Sequence, residues 1–227
     1  MSPLANNLVR VPSSALIMTS SIHYHVALLG DSIFDNAAYV AGEPTVIDHL
    51  RKILPSDWHA SLIARDGDST ADVAEQLGNV PAEATHLIVS VGGNDALAAL
   101  SVFSLPVGTV EDALYQLAEV RKSFQCDYRA MLWQVLDLRR PVAVCTIYDA
   151  VPGLRECSRT ALSIFNDTIV RESEAAGVPV IDLRSVCTEA EDYSAISPIE
   201  PSSQGGRKIA RRLARYLTKQ LPVSTPE

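Results

Sequence analysis

Five short apolar segments alternate along the chain with stretches that carry apolar residues at helical spacing. The segments are 23–29, 59–64, 86–91, 142–147 and 178–182. Their length and aliphatic content are typical of buried parallel strands. Strands that alternate with helices need right-handed crossovers, which give a parallel sheet with helices on both faces. The sequence therefore predicts an α/β fold, a three-layer α/β/α sandwich whose five-stranded sheet has the flavodoxin-like order 2-1-3-4-5.

Helices are predicted between and after these strands. Their expected ranges are 44–54, 69–77, 109–138, 158–176 and 205–221. Thr109 with Asp112 three residues later resembles a capping box, so we expect the longest helix to begin there. Ser158 is the predicted N-cap of the next helix and Gly177 its predicted end cap.

Length and composition predict one domain. The chain has 227 residues, of which 47% are hydrophobic and 20% charged, as in an ordinary globular protein with a full core. No internal repeat or Gly/Ser-rich linker divides it. We expect an N-terminal extension at 1–22, a single domain at 23–221 and a tail at 222–227. The apolar run in the extension is too short for a signal-peptide core or a membrane span.

Charge and cysteine content limit the partners and the compartment. The net charge of −8 argues against a nucleic-acid partner and an anionic membrane surface, and favours a small neutral or weakly charged substrate. The four cysteines include no C-x-x-C pair, so neither a zinc site nor a dense disulfide framework is expected. Reduced thiols in the cytoplasm are the favoured interpretation. The sequence does not indicate the oligomeric state.

A polar stretch of seven residues follows the first predicted strand directly, Gly30-Asp31-Ser32-Ile33-Phe34-Asp35-Asn36. Open α/β sheets bind ligands at the carboxyl ends of their strands, at the point where the strand order reverses. In the predicted order that point lies between the first and third strands, so Ser32 is a candidate nucleophile. The alternative is that Asp31 and Ser32 only cap a turn or a helix start.

Acyl transfer to a serine also needs hydrogen-bond donors where an oxyanion develops. Ser32 can offer its own backbone N–H, and Gly67 after the second strand can bring a backbone N–H close because it has no side chain. Asn94 after the third strand can offer an amide N–H. Gly67 as a turn glycine and Asn94 as a turn or cap residue are the alternatives. Their positions at matching ends of consecutive strands favour an oxyanion hole.

These residues resemble the SGNH/GDSL hydrolase superfamily of esterases, lipases and carbohydrate deacetylases. Gly30-Asp31-Ser32 resembles its first block, the stretch around Gly67 its second, and Gly92-Gly93-Asn94-Asp95 its third. The resemblance covers residues from about 24 to 218. It implies the three-layer fold, Ser32 as nucleophile, an oxyanion hole from Ser32, Gly67 and Asn94, and no metal or organic cofactor. Asp31 and Asp95, which neighbour these groups, are candidates for contact with the substrate.

The fourth block of the family does not match. In the family an aspartate and a histidine three residues apart precede the last helix, followed by a proline and a glycine. Aligning on Pro201 and Gly205 puts Glu200 in the place of the histidine and Ser197 in the place of the aspartate. Glu200 is therefore the candidate base for Ser32. The alternative is that Glu200 is a solvated loop carboxylate or a partner for N–H groups at the start of the closing helix.

None of the five histidines is well placed to replace the missing base. His23, His59 and His86 each open a predicted strand, at the edge of the sheet roughly 17–23 Å from the serine. His25 lies early in the first strand and His49 lies in the first helix. We expect structural or surface roles for all five, and no metal site at His23 and His25, since no third ligand is evident.

Three functions remain open at this point. The leading hypothesis is a hydrolase that cleaves a carboxylic ester or acetyl group through an acyl-serine intermediate. The second is a catalytically weak or inactive relative that binds a small molecule in the same crevice. A flavin or nucleotide binder is disfavoured because no Gly-rich phosphate loop follows a strand.

Overall fold

The computed structural model describes residues 23–219. The predicted N-terminal extension at 1–22, the tail at 222–227 and the last two residues of the predicted closing helix lie outside the described residues. Within residues 23–219, no helix combines the length and the apolar character needed to cross a bilayer.

The sheet has the predicted topology. Its five parallel strands are β1 (Tyr24–Gly30), β2 (Trp58–Leu62), β3 (His86–Ser90), β4 (Val142–Cys145) and β5 (Val180–Ile181). They are hydrogen-bonded in the order β2-β1-β3-β4-β5. The α/β fold class and the order 2-1-3-4-5 are therefore confirmed.

Six α-helices surround the sheet. They are α1 (Val46–Ile53), α2 (Val73–Leu77), α3 (Gly93–Ala98), α4 (Val110–Asp137), α5 (Glu156–Ala175) and α6 (Ser203–Lys219). Short 3-10 helices occupy Ala37–Tyr39, Thr70–Asp72, Ala99–Ser104 and Ala190–Asp192. The predicted capping box is present at the start of α4, where Asp112 N donates to Thr109 Oγ1 at 3.1 Å and Thr109 N donates to Asp112 Oδ2 at 2.9 Å.

One predicted helix cap was wrong and one helix was missed. α5 begins at Glu156 with Arg155 as its N-cap, so Ser158 lies inside the first turn and its prediction as N-cap was wrong. A turn closed by the hydrogen bond from Leu154 N to Val151 O leads the chain directly into the helix, so the helix starts before the serine. α3 was not predicted at all, because the two glycines before it are typical of a loop.

The core consists of two apolar clusters, one on each face of the sheet. Along β1 the side chains alternate, so that Val26 and Leu28 belong to one cluster and Ala27 and Leu29 to the other. α1 and α6 cover the first face, and α4 and α5 cover the second. Because the strands bury side chains on both faces, helices pack on each side of the sheet and form the three layers.

The register of the strands brings three loops together at the carboxyl edge of the sheet. Gly30 at the end of β1 pairs with Ser90 at the end of β3. On the other side of β1, Arg65 N donates to Gly30 O at 3.1 Å, so the loop after β2 reaches the same edge. The segments that carry Ser32, Gly67 and Asn94 all start from this edge.

Candidate active site

Gly30 lets the chain turn sharply from β1 into the loop of Ser32. Its φ of +126° lies outside the range favoured by residues with a side chain. A Cβ atom at this position would also lie 1.7 Å from the carbonyl oxygen of Ser90, so no side chain fits. The Asp31 N–H donates to that same oxygen at 3.0 Å. Ser32 is therefore the second residue beyond the strand and is 6% exposed.

The Asp31 side chain organises this loop. Its Oδ1 accepts the Ile33 N–H at 3.0 Å, an Asx-type turn, so the turn-forming role considered as an alternative is present in the structure. Burial raises the pKa of Asp31 to about 8, and the nearby carboxylates Glu200 and Asp95 also raise it. At pH 7 the carboxyl group is therefore mostly neutral. Asp31 lines the same cavity as Ser32.

Glu200 lies next to Ser32. The residue is only 7% exposed and lines the cavity together with Ser32, so it is not a solvated loop carboxylate. Burial raises the pKa of Glu200 above its ordinary value of 4.5, the interaction with the Ser32 side chain lowers it, and the charge of Asp66 raises it. The net effect is an upward shift, which makes the carboxylate a stronger base than an exposed glutamate.

Hydrogen bonds fix the backbone of Glu200 itself. Its N–H donates to Ser197 O at 3.0 Å, and its carbonyl oxygen accepts the Ser194 N–H at 2.8 Å. Ser197, which stands in the position of the family's aspartate, thus contacts Glu200 through its carbonyl oxygen. Both bonds keep the loop folded back on itself, which restricts the direction of the Glu200 side chain.

Two side chains from distant elements hold the neighbours of Glu200. Tyr148 after β4 donates its hydroxyl to Ile199 O at 2.7 Å. Asn36 in the Ser32 loop donates to Pro201 O at 3.1 Å and accepts the Val46 N–H at 3.0 Å, so it joins the loop that carries Glu200 to the start of α1. These interactions hold the loop of Glu200 near Ser32, and neither involves a histidine or an aspartate.

Asn94 reaches the cavity from the first turn of α3. Its Nδ2 donates to Asp68 O at 2.8 Å, and the amide carries a second N–H. Asn94 lines the cavity together with Ser32. The contact with Asp68 also joins α3 to the loop after β2.

Gly67 lies in a tight turn of that loop. Asp68 N donates to Arg65 O at 3.2 Å, and Gly67, the third residue of the turn, has a φ of +84°. This is the position at which a turn of this kind favours glycine. Gly67 is exposed and is not part of the cavity wall, so its role as an oxyanion donor stays a prediction.

Gln76 joins the Ser32 loop to the Gly67 turn. The sequence analysis did not identify this residue. It accepts the Gly30 N–H at 2.8 Å, donates to Gly30 O at 2.7 Å and donates to Asp68 Oδ2 at 2.7 Å. It is fully buried. The sequence feature that could have indicated its burial is its position three residues after Val73, on the apolar face of the short α2.

Asp95 lies beside the cavity rather than in its wall. Its Oδ2 accepts the N–H and the hydroxyl of Thr70, each at 3.0 Å. Burial raises the pKa of its carboxyl group, and the hydrogen bonds from Thr70 lower it. These contacts hold the loop after β2 against α3, while a direct contact of Asp95 with substrate stays a prediction.

The histidines lie away from Ser32. His25 pairs with His59, and Val26 pairs with His86, at the amino end of the strands, whereas Gly30 pairs with Ser90 at the carboxyl end. His25 Nε2 lies 2.8 Å from Ser61 Oγ, and His49 Nε2 lies 3.0 Å from Ser203 Oγ. Within residues 23–219, no group of three His, Cys, Asp or Glu side chains is arranged to hold a metal ion. All four cysteines are free.

A cavity of about 310 Å³ opens at Ser32. Asp31, Asn94 and Glu200 line it together with Ser32. The rest of the wall is mainly apolar and comes from α3, the 3-10 helix Ala99–Ser104, α4, α5 and the segment between β4 and α5. A cleft of this size at the switch point of an α/β sheet is the usual place for a small-molecule site.

Comparisons with known proteins identify the family and agree with the fold. The family model for GDSL-like lipases and acylhydrolases matches residues 28–220. Among solved structures, a lipase from a goat rumen metagenome is similar, with a TM-score of 0.66 and 22% identity over 85% of this chain and 96% of that chain. A lipase/acylhydrolase from Enterococcus faecalis has a TM-score of 0.63 and 20% identity over 89% and 100%.

An acetyl xylan esterase is also similar, with a TM-score of 0.62 and 16% identity over 85% of this chain and 99% of that chain. At these identities the structural likeness concerns the fold. No curated protein matches the chain.

Proposed function

Because the chain belongs to the GDSL-like lipase/acylhydrolase family, we propose that it is a serine hydrolase that cleaves a carboxylic ester or acetyl group through an acyl-serine intermediate. The observation that carries this proposal is that Ser32 and the buried Glu200 side chain line the same cavity and interact there. A base within reach of the proton of the nucleophile is the arrangement that activates a serine hydroxyl.

The reaction proceeds in two halves. Ser32 Oγ attacks the ester carbonyl carbon while Glu200 accepts the hydroxyl proton, and the carbonyl oxygen becomes an oxyanion. The backbone N–H groups of Ser32 and Gly67 and the second amide N–H of Asn94 stabilise that oxyanion. The tetrahedral intermediate collapses and the C–O bond to the alcohol breaks, as Glu200 returns the proton to the leaving oxygen. Water then attacks the acyl-serine with Glu200 again as base, which releases the acid and restores Ser32.

A carboxylate is a weaker base than an imidazole, with an ordinary pKa of about 4.3 against about 6.5. The upward shift in the Glu200 pKa narrows this difference, and its fixed backbone supplies the orientation that an aspartate gives to a catalytic histidine. Losing a triad member costs serine hydrolases roughly 10⁴-fold or more in rate. We therefore expect a slow enzyme.

The absence of the histidine favours a second candidate, a small-molecule binding protein that has lost catalysis. It would use the same cavity and would differ from the enzyme only in the reactivity of Ser32.

Ester turnover separates the two candidates. The parent protein should hydrolyse 4-nitrophenyl butyrate and should react stoichiometrically with a fluorophosphonate, which captures activated serines. Both activities should be lost in Ser32→Ala and kept in Ser163→Ala, which alters an exposed serine on α5 that bonds to Thr160 O. If the parent shows neither turnover nor labelling, the binding protein is the correct interpretation.

The proposed partner is a small ester or acetylated molecule and not a nucleic acid, since the net charge is −8. A cytoplasmic location is proposed only on the basis of the unpaired cysteines.

A further inference from the structure

The cavity beside Ser32 has two chemically different parts. Asp31, Ser32, Asn94 and Glu200 form a polar part, whereas the wall contributed by α4 and α5 is mainly apolar and includes Leu117, Val120, Leu162 and Phe165. Arg155 and Ser158, at the start of α5, are the polar exceptions in that wall. A sugar needs several hydrogen-bonding groups around it, because buried hydroxyls without partners are costly. The apolar part of this wall therefore suits an aliphatic chain and does not suit a carbohydrate.

The direction of catalysis decides which part of an ester enters this apolar space. Glu200 must deliver a proton to the leaving oxygen, so the alcohol lies on the side of Glu200. The residues before Glu200 are half-buried or exposed, and Ile199 is 37% exposed. We infer an orientation in which the alcohol leaves past the exposed Ile199 and the acyl chain occupies the apolar space lined by α4 and α5.

We propose that the cavity is an acyl-binding site that selects esters of medium-chain fatty acids, an inference that rests on the proposed hydrolase function. An apolar cavity of about 150 Å³ holds one benzene molecule, so a cavity of 310 Å³ holds an acyl chain of about eight to twelve carbons. Acetyl groups leave most of it unfilled, and chains much longer than this extend beyond it.

A contact at the rim limits the length of the chain. The guanidinium carbon of Arg155, at the start of α5, lies 5.6 Å from the centre of the Phe103 ring. Both residues line the cavity and both are exposed, so they lie where the cavity meets solvent. This cation–π contact joins α5 to the 3-10 helix Ala99–Ser104 and narrows the opening through which a longer chain would leave.

A series of 4-nitrophenyl esters from acetate to palmitate tests the selection. We expect kcat/KM to rise by roughly fourfold for each added methylene up to the optimum, because each methylene leaves water for the apolar wall. The optimum should lie between about eight and twelve carbons, with a fall beyond it. A matching series of alkyl acetates, in which the alcohol is lengthened, should show no such rise. A maximum at acetate, a flat series or a rise with the alcohol chain overturns the proposal.

Variants with a larger side chain in the cavity wall test whether this cavity is the acyl-binding site. Val120→Phe on α4 should move the optimum to shorter chains, so that kcat/KM for the decanoate ester falls relative to kcat/KM for the butyrate ester. The matched control is Val110→Phe on the same helix, since Val110 is 78% exposed and is outside the cavity wall. Ala161→Phe on α5 gives a second test of the same space if Val120→Phe does not fold. An unchanged optimum in a folded filling variant contradicts the assignment.

A binding measurement separates this inference from the proposed function. Decanamide, a neutral analogue, should bind to Ser32→Ala in calorimetry more tightly than acetamide, and Val120→Phe added to Ser32→Ala should abolish the difference. If no ester is hydrolysed but decanamide binds in this way, the proposed hydrolase function is wrong and the proposed acyl-binding site is supported. If esters are hydrolysed but decanamide binds no better than acetamide, the proposed acyl-binding site is wrong and the proposed hydrolase function is supported.

Discussion

Asp31 is a carboxylic acid buried beside Ser32, and its protonation links the stability of the protein to pH. Burial, with contributions from Glu200 and Asp95, raises its pKa from 3.8 to about 8 in the folded protein. Between these two values the folded state holds a proton that the unfolded state has lost. The stability contributed by Asp31 is therefore fully present below pH 3.8 and is lost as the pH rises toward 8.

The substitution Asp31→Asn should remove this pH dependence, because the amide keeps the oxygen that accepts the Ile33 N–H and cannot ionise. The difference in the free energy of unfolding, variant minus parent, should grow by more than about 2 kcal/mol from pH 5 to pH 8, because only the parent loses the contribution of Asp31 over this range. Urea unfolding at several pH values measures the change. Asp137→Asn, at an exposed position on α4, is the control and should follow the parent. A difference between Asp31→Asn and the parent that does not vary with pH contradicts the account.

At the scale of elements, the loop before α6 carries Glu200, the proposed base. Tyr148 holds this loop through the hydrogen bond to Ile199 O, the residue next to Glu200. Tyr193 makes a similar buried hydrogen bond from its hydroxyl, but to Cys187 O at 3.0 Å and not to a residue next to Glu200. The two rings pack edge to face.

This pair gives a matched comparison. Tyr148→Phe and Tyr193→Phe should each cost about 1 kcal/mol of unfolding free energy, because each removes one buried hydrogen bond. Only Tyr148→Phe should lower kcat, by roughly tenfold, since a small displacement of the base slows proton transfer. Thermal unfolding and steady-state kinetics measure the two effects. Equal kcat values in the two variants would show that the Tyr148 hydroxyl does not position Glu200.

The strands and most helices could be predicted because their signals are local. The segment 86–91 is apolar and short, and the capping box of α4 is formed by residues three positions apart. The start of α5 was predicted wrongly because the turn ending at Leu154, and not the hydroxyl of Ser158, determines where the helix begins.

The contacts that build the candidate site are different, because their partners are far apart in the sequence. Gln76 bonds to a strand end 46 residues away, and Asn36 bonds to Pro201, 165 residues away. Sequence spacing indicated which residues are candidates for catalysis, such as Ser32 and Asn94. It could not indicate which side chains fix their positions, since those contacts depend on the packing of the completed fold.

At the scale of the whole molecule, stability comes from the two apolar clusters on the faces of the sheet. Leu213 on α6 is fully buried in the cluster that also contains Leu28 and Leu50. Helix α6 follows directly after the base loop, so its packing against α1 also supports the site.

Leu213→Ala should lower the free energy of unfolding by about 2–5 kcal/mol, because it leaves a cavity in a close-packed core. Leu114→Ala is the matched control, since Leu114 is 60% exposed on α4, and it should change stability by less than about 0.5 kcal/mol. Urea denaturation measures both. Equal losses in the two variants would contradict the assignment of the core.

The most direct test of the proposed mechanism is the kcat/KM of Glu200→Gln compared with the parent across pH. In the parent, kcat/KM should fall as the pH decreases through a pKa above 4.5, since Glu200 must be deprotonated to act as the base. The glutamine keeps the shape and a hydrogen bond to Ser32 but cannot accept the proton, so kcat/KM should fall by about 10²–10⁴-fold and the acidic limb should disappear. A folded Glu200→Gln variant that hydrolyses esters as fast as the parent, with the same pH profile, would show that Glu200 is not the base.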